Sequence, residues 1–347
     1  MMSRPVNLQN TNEMPPQALL QMLTSYRVSQ SIYVAAKLRI ADLLNDGPRS
    51  SDELAKSSGS DSRALYRLLR MLASVGIFAE VDQGCFTLTP LAALLQTGAP
   101  GSLRAYAIMN GEDWFWRPWG ELLYSVKTGK TAFDHVCGMG IFKYLAQHPE
   151  AAEIFNEAMT GFTLTSTAVV AAYDFSGINT LIDVGGGQGA LLAAILKANP
   201  QLRGVLFDLP SVIEGAKSLI EAEGVAERCE LVAGDFFESV PGGAVAYILK
   251  FVIHDWDDDR AVTILKNCHR AVVEDGKLLV VEMVIPPGNE PFYGKLADLN
   301  MLVLSGGGRE RTEAEYRALF ATAGFKLTKI IPTQSPTQFS VIEGVRA

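Results

Sequence analysis

A run of glycines bracketed by acidic residues is the first place in this chain where chemistry can be read. In Leu181-Ile182-Asp183-Val184-Gly185-Gly186-Gly187-Gln188-Gly189, a glycine-rich turn follows an apolar stretch of strand length and precedes a helical pattern from Ala190. Glycines there let the backbone turn tightly and approach a ligand with no Cβ in the way. Gly185, Gly187 and Ala190 also satisfy the G-x-G-x-x-A form of a nicotinamide-binding turn, so a dinucleotide and S-adenosylmethionine compete for this site. Asp183 would repel a pyrophosphate but suits a zwitterionic amino-acid ligand. Asp208, in Phe207-Asp208-Leu209-Pro210, lies about 20 residues further on, where an acid can accept both ribose hydroxyls, a feature that nicotinamide enzymes share. Gly234-Asp235-Phe236-Phe237 adds an acid and an aromatic suited to an adenine amino group and ring. Singly, Asp208 reads as a helix cap before Pro210, and Asp235 as a cap or turn. Their joint placement at successive strand ends favours the adenosyl amino acid.

The second cluster is Leu249-Lys250-Phe251-Val252-Ile253-His254-Asp255-Trp256-Asp257-Asp258-Asp259. A lone histidine is usually structural, but His254 falls at the C-terminal mouth of a predicted strand, the edge where open parallel sheets bind ligands. The acidic run has the composition of a metal site. Asp257, however, precedes a helix carrying Val262, Ile264 and Leu265, and Asp258 and Asp259 occupy its first turn. Capping and dipole complementarity account for them, and no metal is expected. Trp256 reads equally as core or as a wall of the donor pocket.

These residues need a scaffold, and after Phe175 the pattern supplies one. Candidate strands at Thr180 to Gly185, Gly204 to Leu209, Glu230 to Gly234, Val245 to Val252 and Lys277 to Ile285 alternate with helical stretches, predicting a doubly wound α/β sheet, mostly parallel and Rossmann-like. A helix from Glu313 to Thr322 and extended runs Phe325 to Ile331 and Phe339 to Val345, joined through Pro332 and Pro336, predict a terminal antiparallel hairpin. Residues 176–347 are therefore the expected ligand-binding catalytic domain.

The front of the chain differs. Apolar residues recur at helical spacing from Pro16 to about Leu44, and Asn45-Asp46-Gly47-Pro48 stops them. A short helix from Ser51, a stronger one from Ser62 to Val75 with Leu65, Leu68, Leu69 and Leu72 inward, and strands at Phe78 to Val81 and Cys85 to Leu88 make a winged helix over residues 1–100. Arg63, Arg67 and Arg70 are the candidates for phosphate contact in a ligand-sensing DNA-binding regulator. Yet residues 1–100 carry nine Lys or Arg against eight Asp or Glu, and neutralising phosphates needs surplus positive charge. A dimerising role, with the apolar first helix against a second subunit, fits better. Residues 101–175 read as a helical linker and lid rich in aromatics (Trp114, Phe115, Trp116, Trp119, Phe142, Tyr144, Phe155, Phe162) and Met159, the side chains that line small-molecule pockets.

Of the 347 residues 48% are hydrophobic and 20% charged, the balance of a globular protein rather than a disordered one. A net charge of -8 leaves no electrostatic footprint for nucleic acid or an anionic membrane. The four cysteines form no C-x-x-C pair, which speaks against zinc and suits a reducing compartment. With no signal-peptide pattern and no long uncharged apolar run, a cytoplasmic protein is expected.

Taken in order, LIDVGGGQG, FDLP, GDFF, LKFVIHDWDDD and GGGRERT resemble the caffeic acid and acetylserotonin type of class I O-methyltransferases and their bacterial small-molecule relatives, over nearly the whole chain. The resemblance implies an S-adenosylmethionine-dependent enzyme methylating a phenolic hydroxyl of a small aromatic or secondary metabolite, active as a homodimer through its N-terminal domain. It assigns Asp183, Gly185, Gly187, Asp208, Leu209, Gly234, Asp235, Phe236 and Lys250 to the donor. His254 becomes the general base, with Glu282 and Glu310 orienting its ring and stabilising the imidazolium, unless both acids merely pair with Arg309 or Arg311. Trp114, Phe155, Met159, Asp255, Met301 and Ser305 are the acceptor side. Leu304 and Ser305 depart from the bulkier polar residues of plant members, which speaks against a plant phenylpropanoid. The competing functional readings are an NAD-dependent dehydrogenase and the DNA-binding regulator.

Overall fold

The computed structural model describes residues 15–161, 163–335 and 337–347; Phe162, Pro336 and the first fourteen residues lie outside the described residues. The chain divides into two compact units, Met1–Trp116 with Glu150–Gly161, and Arg117–Pro149 with Phe162–Ala347. The stretch 101–175 is thus shared between the two and forms no unit of its own.

In the first unit, the apolar pattern before Leu44 is three helices rather than one: Pro15–Thr24, Tyr26–Lys37 and Ile40–Leu43. The last break sits at Arg39, whose φ of 56° is left-handed and cannot continue a helix. Ser50 and Glu53 form a reciprocal capping box that starts the helix Ser51–Ser58, and left-handed Gly59 ends it. Asp61 caps Ser62–Ser74, whose Leu65, Leu69 and Leu72 are buried while Arg63, Arg67 and Arg70 are exposed. Strands β1 (Arg49–Ser50), β2 (Phe78–Asp82) and β3 (Cys85–Leu88) form an antiparallel sheet in the order β1-β3-β2, so the wing has one more strand than its sequence suggests. On the first helix Leu19, Leu20 and Leu23 are all more than half exposed.

The second unit is built on a seven-stranded sheet: β4 (Thr180–Val184), β5 (Arg203–Asp208), β6 (Cys229–Ala233), β7 (Ala246–Lys250), β8 (Lys277–Glu282), β11 (Phe325–Pro332) and β12 (Ser340–Arg346). Its order is β11-β12-β8-β7-β4-β5-β6, with β4 to β8 parallel and the hairpin β11-β12 antiparallel. Helices cover both faces, so Leu181, Ile182, Ile248, Leu249, Leu279 and Val280 read as continuous apolar runs with no exposure. The strand order reverses at β4, whose neighbours are β5 and β7. A ligand crevice belongs outside the carboxyl ends at such a switch point, and there the chain places the glycine turn after β4 and the Phe251–His254 segment after β7. β12, inserted antiparallel between β8 and β11, stands where a dinucleotide-binding sheet has a sixth parallel strand. Two further strands, β9 (Val284–Ile285) and β10 (Arg311–Thr312), pair parallel in a small separate sheet. No described helix is long and apolar enough to cross a membrane.

Candidate active site

The glycine turn leaves β4 with Gly185, Gly187 and Gly189 at φ of 67°, 60° and 85°, a left-handed path that other residues adopt only under strain. Gly186 has a different reason to be glycine, since a Cβ there would sit 2.5 Å from Leu206 and 2.6 Å from the Asp183 carboxyl carbon. Asp208 is spent partly on the turn itself: its two oxygens accept the N–H groups of Gly187 at 2.8 Å and Leu209 at 2.7 Å. Asp235 likewise accepts from Phe237 N–H at 2.8 Å. Phe236 lies against the Gly185 position. Buried Asn267 donates to the Phe236 and Phe237 carbonyls at 2.7 and 3.0 Å and so fixes this loop, a role its place in mid-helix did not announce. Trp256 stacks on Phe142 and meets Phe237 edge-on.

Asp183 is 1% exposed, and neither of its oxygens has a hydrogen-bonding partner among the described residues. Burial pushes its carboxyl up to about 7, against the pull of Lys250. Burial also pushes Lys250 down to about 8, with Asp183 opposing. A buried carboxylate lacking donors, set directly before a turn open to close approach, is a fitting seat for the cationic amino group of an amino-acid ligand.

His254 sits in a 3-10 turn, Ile253–Asp255, and nearly every polar atom it has is engaged. Its N–H donates to Glu282 Oε1 at 3.0 Å, its C=O accepts from Arg309 N–H at 2.8 Å, and its Nδ1 meets Glu310 Oε1 at 2.7 Å. Arg311, fully buried, donates to the carbonyls of Ile253 at 3.0 Å and Trp256 at 2.8 Å on either side, and to Asp258. The ring of Phe251 stacks beside the imidazole at 5.5 Å, held there by a left-handed φ of 55°. Lys250 Nζ lies 4.7 Å from that ring. Strain of this kind, of order 1–3 kcal/mol, persists only where surrounding contacts over-determine it. Nε2 makes no hydrogen bond among the described residues and lies 3.8 Å from Asp255 Oδ1. Burial disfavours the imidazolium, but the charges of Glu310, Asp255 and Glu282 outweigh it and raise His254 to about 10. Burial in turn pushes Asp255 up to about 6.

The two acids differ from expectation in one respect. Glu310 holds the imidazole, whereas Glu282 grips the main-chain N–H of His254 and makes no hydrogen bond to the ring. Glu282 ends β8, so its carboxylate reaches the start of the turn, and only Glu310, one residue before β10, comes level with the ring. Neither is an arginine ion pair: Arg309 bridges Asp258 and Glu315, and Arg311 takes Asp258. Asp257 caps the helix Asp258–Ala271 through Arg260 N–H. The glycines of Gly306-Gly307-Gly308 allow the last stretch to press on the turn, since a Cβ on Gly308 would lie 2.6 Å from the His254 carbonyl oxygen. Ser305 Oγ reaches Asp255 Oδ1 at 3.4 Å, and buried Met301 is one turn earlier on the helix Tyr293–Leu304. Leu209 is half exposed, and Gly234 packs against Phe207. Trp114, Phe155 and Met159 belong to the first unit, Trp114 buried edge-on to Phe115 and the other two half-buried on the helix Pro149–Gly161.

Residues 119–326 match the O-methyltransferase domain family, and residues 20–98 the O-methyltransferase dimerisation domain. The chain belongs to the O-methyltransferase family. It is 52% identical over 318 residues to a phenazine O-methyltransferase of Lysobacter antibioticus, covering 91% of this chain and 93% of that one. The crystal structure of LaPhzM superposes with a TM-score of 0.93 at 49% identity, covering 96% of this chain and all of the other. An O-methyltransferase of neocarzinostatin biosynthesis, solved with S-adenosylmethionine and 2-hydroxy-5-methyl naphthoic acid, superposes at 0.78 with 32% identity, over 97% of this chain and 100% of that one. The protein is therefore an S-adenosylmethionine-dependent O-methyltransferase of the kind its motifs resemble, which removes the dehydrogenase and DNA-binding readings.

Proposed function

We propose that this O-methyltransferase methylates a phenolic hydroxyl on a small, flat aromatic metabolite, with His254 as the general base. The carrying observation is that His254 has every polar atom tied except Nε2, which faces Asp255 at the mouth of the sheet. In the proposed arrangement Asp183 takes the amino group of the donor, and the backbone at Gly185 and Gly187 takes its amino-acid moiety. Asp208 and Leu209 hold the ribose, Asp235 and Phe236 the adenine beside Gly234, and Lys250 closes the donor side. When bound, S-adenosylmethionine supplies an electrophilic methyl on a sulfonium. Alignment for in-line displacement provides much of the rate.

The protein's remaining task is to hold and move one proton. Glu310 receives the Nδ1–H, so the lone pair of neutral His254 is on Nε2 and accepts the acceptor's phenolic proton. A phenol titrates near pH 10, and the carboxylates around His254 raise its proton affinity towards that of the phenolate. Glu310 then stabilises the imidazolium, Asp255 accepts a hydrogen bond from the acceptor, and Met301 and Ser305 form part of its wall. The N-terminal domain pairs two chains into a homodimer. The named acceptors of similar proteins, a phenazine and a naphthoic acid, favour a fused-ring hydroxyarene. Incubation with labelled donor and a panel of hydroxylated phenazines, naphthoates and simple phenols, followed by mass-spectrometric location of the methyl, tests the acceptor class. His254→Ala should lower kcat by roughly 10²–10⁴ and leave S-adenosylhomocysteine affinity within a few-fold. Near-normal turnover would remove His254 from the mechanism.

A further inference from the structure

One wholly buried hydroxyl beside this machinery has no part in the proton transfer. Tyr316, on the helix Glu313–Ala323, has no exposed surface, and its O–H donates to Glu282 Oε2. The other oxygen of the same carboxylate accepts the main-chain N–H of His254. An ionised carboxylate accepts both bonds at full strength, whereas a protonated one carries an O–H that competes with them. We infer that Tyr316 is a positioning residue: acting through Glu282, it anchors the His254 main chain and keeps a negative charge behind the imidazole. The inference rests on the reading of His254 as the base.

The groups facing this pair are few. His254 is faced by Glu310, Asp255 and Glu282, and Glu282 by His254, Glu310 and Tyr316, with Arg311 adding a cation near Tyr316. Burial drives the Glu282 carboxyl upward with Glu310 on the same side, while His254 and the Tyr316 O–H pull it back. Without the O–H, one oxygen is left buried and unpartnered, a state that favours the protonated carboxyl. His254 would then lose one of the three carboxylates that retain its proton, and its titration would move to lower pH. A tyrosine serving only as packing would leave that titration where it was.

The test is an NMR titration of ring-labelled histidine in the full chain bound to S-adenosylhomocysteine. The sequence has four histidines, and the His254 signal is the one missing in His254→Asn. In Tyr316→Phe the His254 midpoint should fall by about half a pH unit or more, roughly a threefold change in its protonation equilibrium, with Glu282→Gln moving it the same way. Tyr316→Met, also without a hydrogen-bond donor, serves if the phenylalanine variant does not fold. A folded variant with a lower melting temperature and an unmoved His254 midpoint would overturn the inference. The readout needs no acceptor, so retained turnover in His254→Ala would sink the base reading alone and leave the titration result standing.

Discussion

Replacing Glu310 by glutamine tests the central ion pair while keeping its shape. Nδ1 and Oε1 are 2.7 Å apart, and the Glu310 side chain is fully buried. At that separation and an effective dielectric of about 20, two unit charges attract by about 6 kcal/mol, or about four pH units. Burial takes some of this back, and with Asp255 and Glu282 contributing, the histidine rests at about 10 against its usual value near 6.5. Glu310→Gln leaves the burial and removes the largest attraction, so the His254 midpoint should drop by at least about two pH units. A base acts only when deprotonated, so wild-type kcat/KM should climb with pH up to about 10. In the variant this limb should shift to lower pH, and the plateau should fall by roughly 10²–10⁴ because the ring has lost its orienting acid. The assay is the pH profile of methyl transfer for both proteins. It is repeated with a fluorinated acceptor of lower phenol pKa, so that acceptor ionisation is recognised by its own movement. Coincident limbs in wild type and variant would refute the electrostatic argument.

Two other buried groups make checkable contributions. Asp183→Asn should raise the melting temperature by several degrees at pH 8 and much less at pH 4. Its carboxyl is raised to about 7 in the fold, so the associated stability is present below its ordinary range and is lost as pH rises through 7, about 4 kcal/mol in all. The same variant should bind S-adenosylhomocysteine at least tenfold more weakly by calorimetry, and unchanged affinity would remove Asp183 from the donor site. Arg311→Met should destabilise the chain to denaturant by about 2–4 kcal/mol, chiefly because the Ile253 and Trp256 carbonyls lose their donor. Asp258 is 55% exposed and contributes little to that figure. A loss below about 1 kcal/mol would contradict this reading of Arg311.

Much of the frame could be read from the chain before its fold was known, because the signals are local. Apolar runs bounded by glycine and acid placed the strands β4, β5 and β7 within one or two residues and β8 at its first residue, though that run carried on through β9, and the hairpin at the end followed from its two extended runs. Asp183 and His254 stood out because each lies beside a strand end. The positioning groups were not legible. Arg311, Asn267 and the Arg309 main chain donate to carbonyls some 30 to 58 residues away, and no periodicity encodes such pairings. Glu282 was found by resemblance to a motif, yet its target, a main-chain N–H rather than a ring, depends on how β8 meets the turn. The pair β9 and β10 is two residues long on each side, too short for an alternating pattern.

That short pair also sets a boundary within the second unit. Glu282 lies two residues before one strand and Glu310 one before the other, so the chain from Pro286 to Arg309 leaves the two carboxylates and returns to them as an excursion clasped at its neck. Met301, Leu304 and Ser305 all lie on this excursion. On the proposed reading, exchanges at Met301, Leu304 or Ser305 would alter the acceptor's surroundings while the contacts of Glu282 and Glu310 to His254 stay in place.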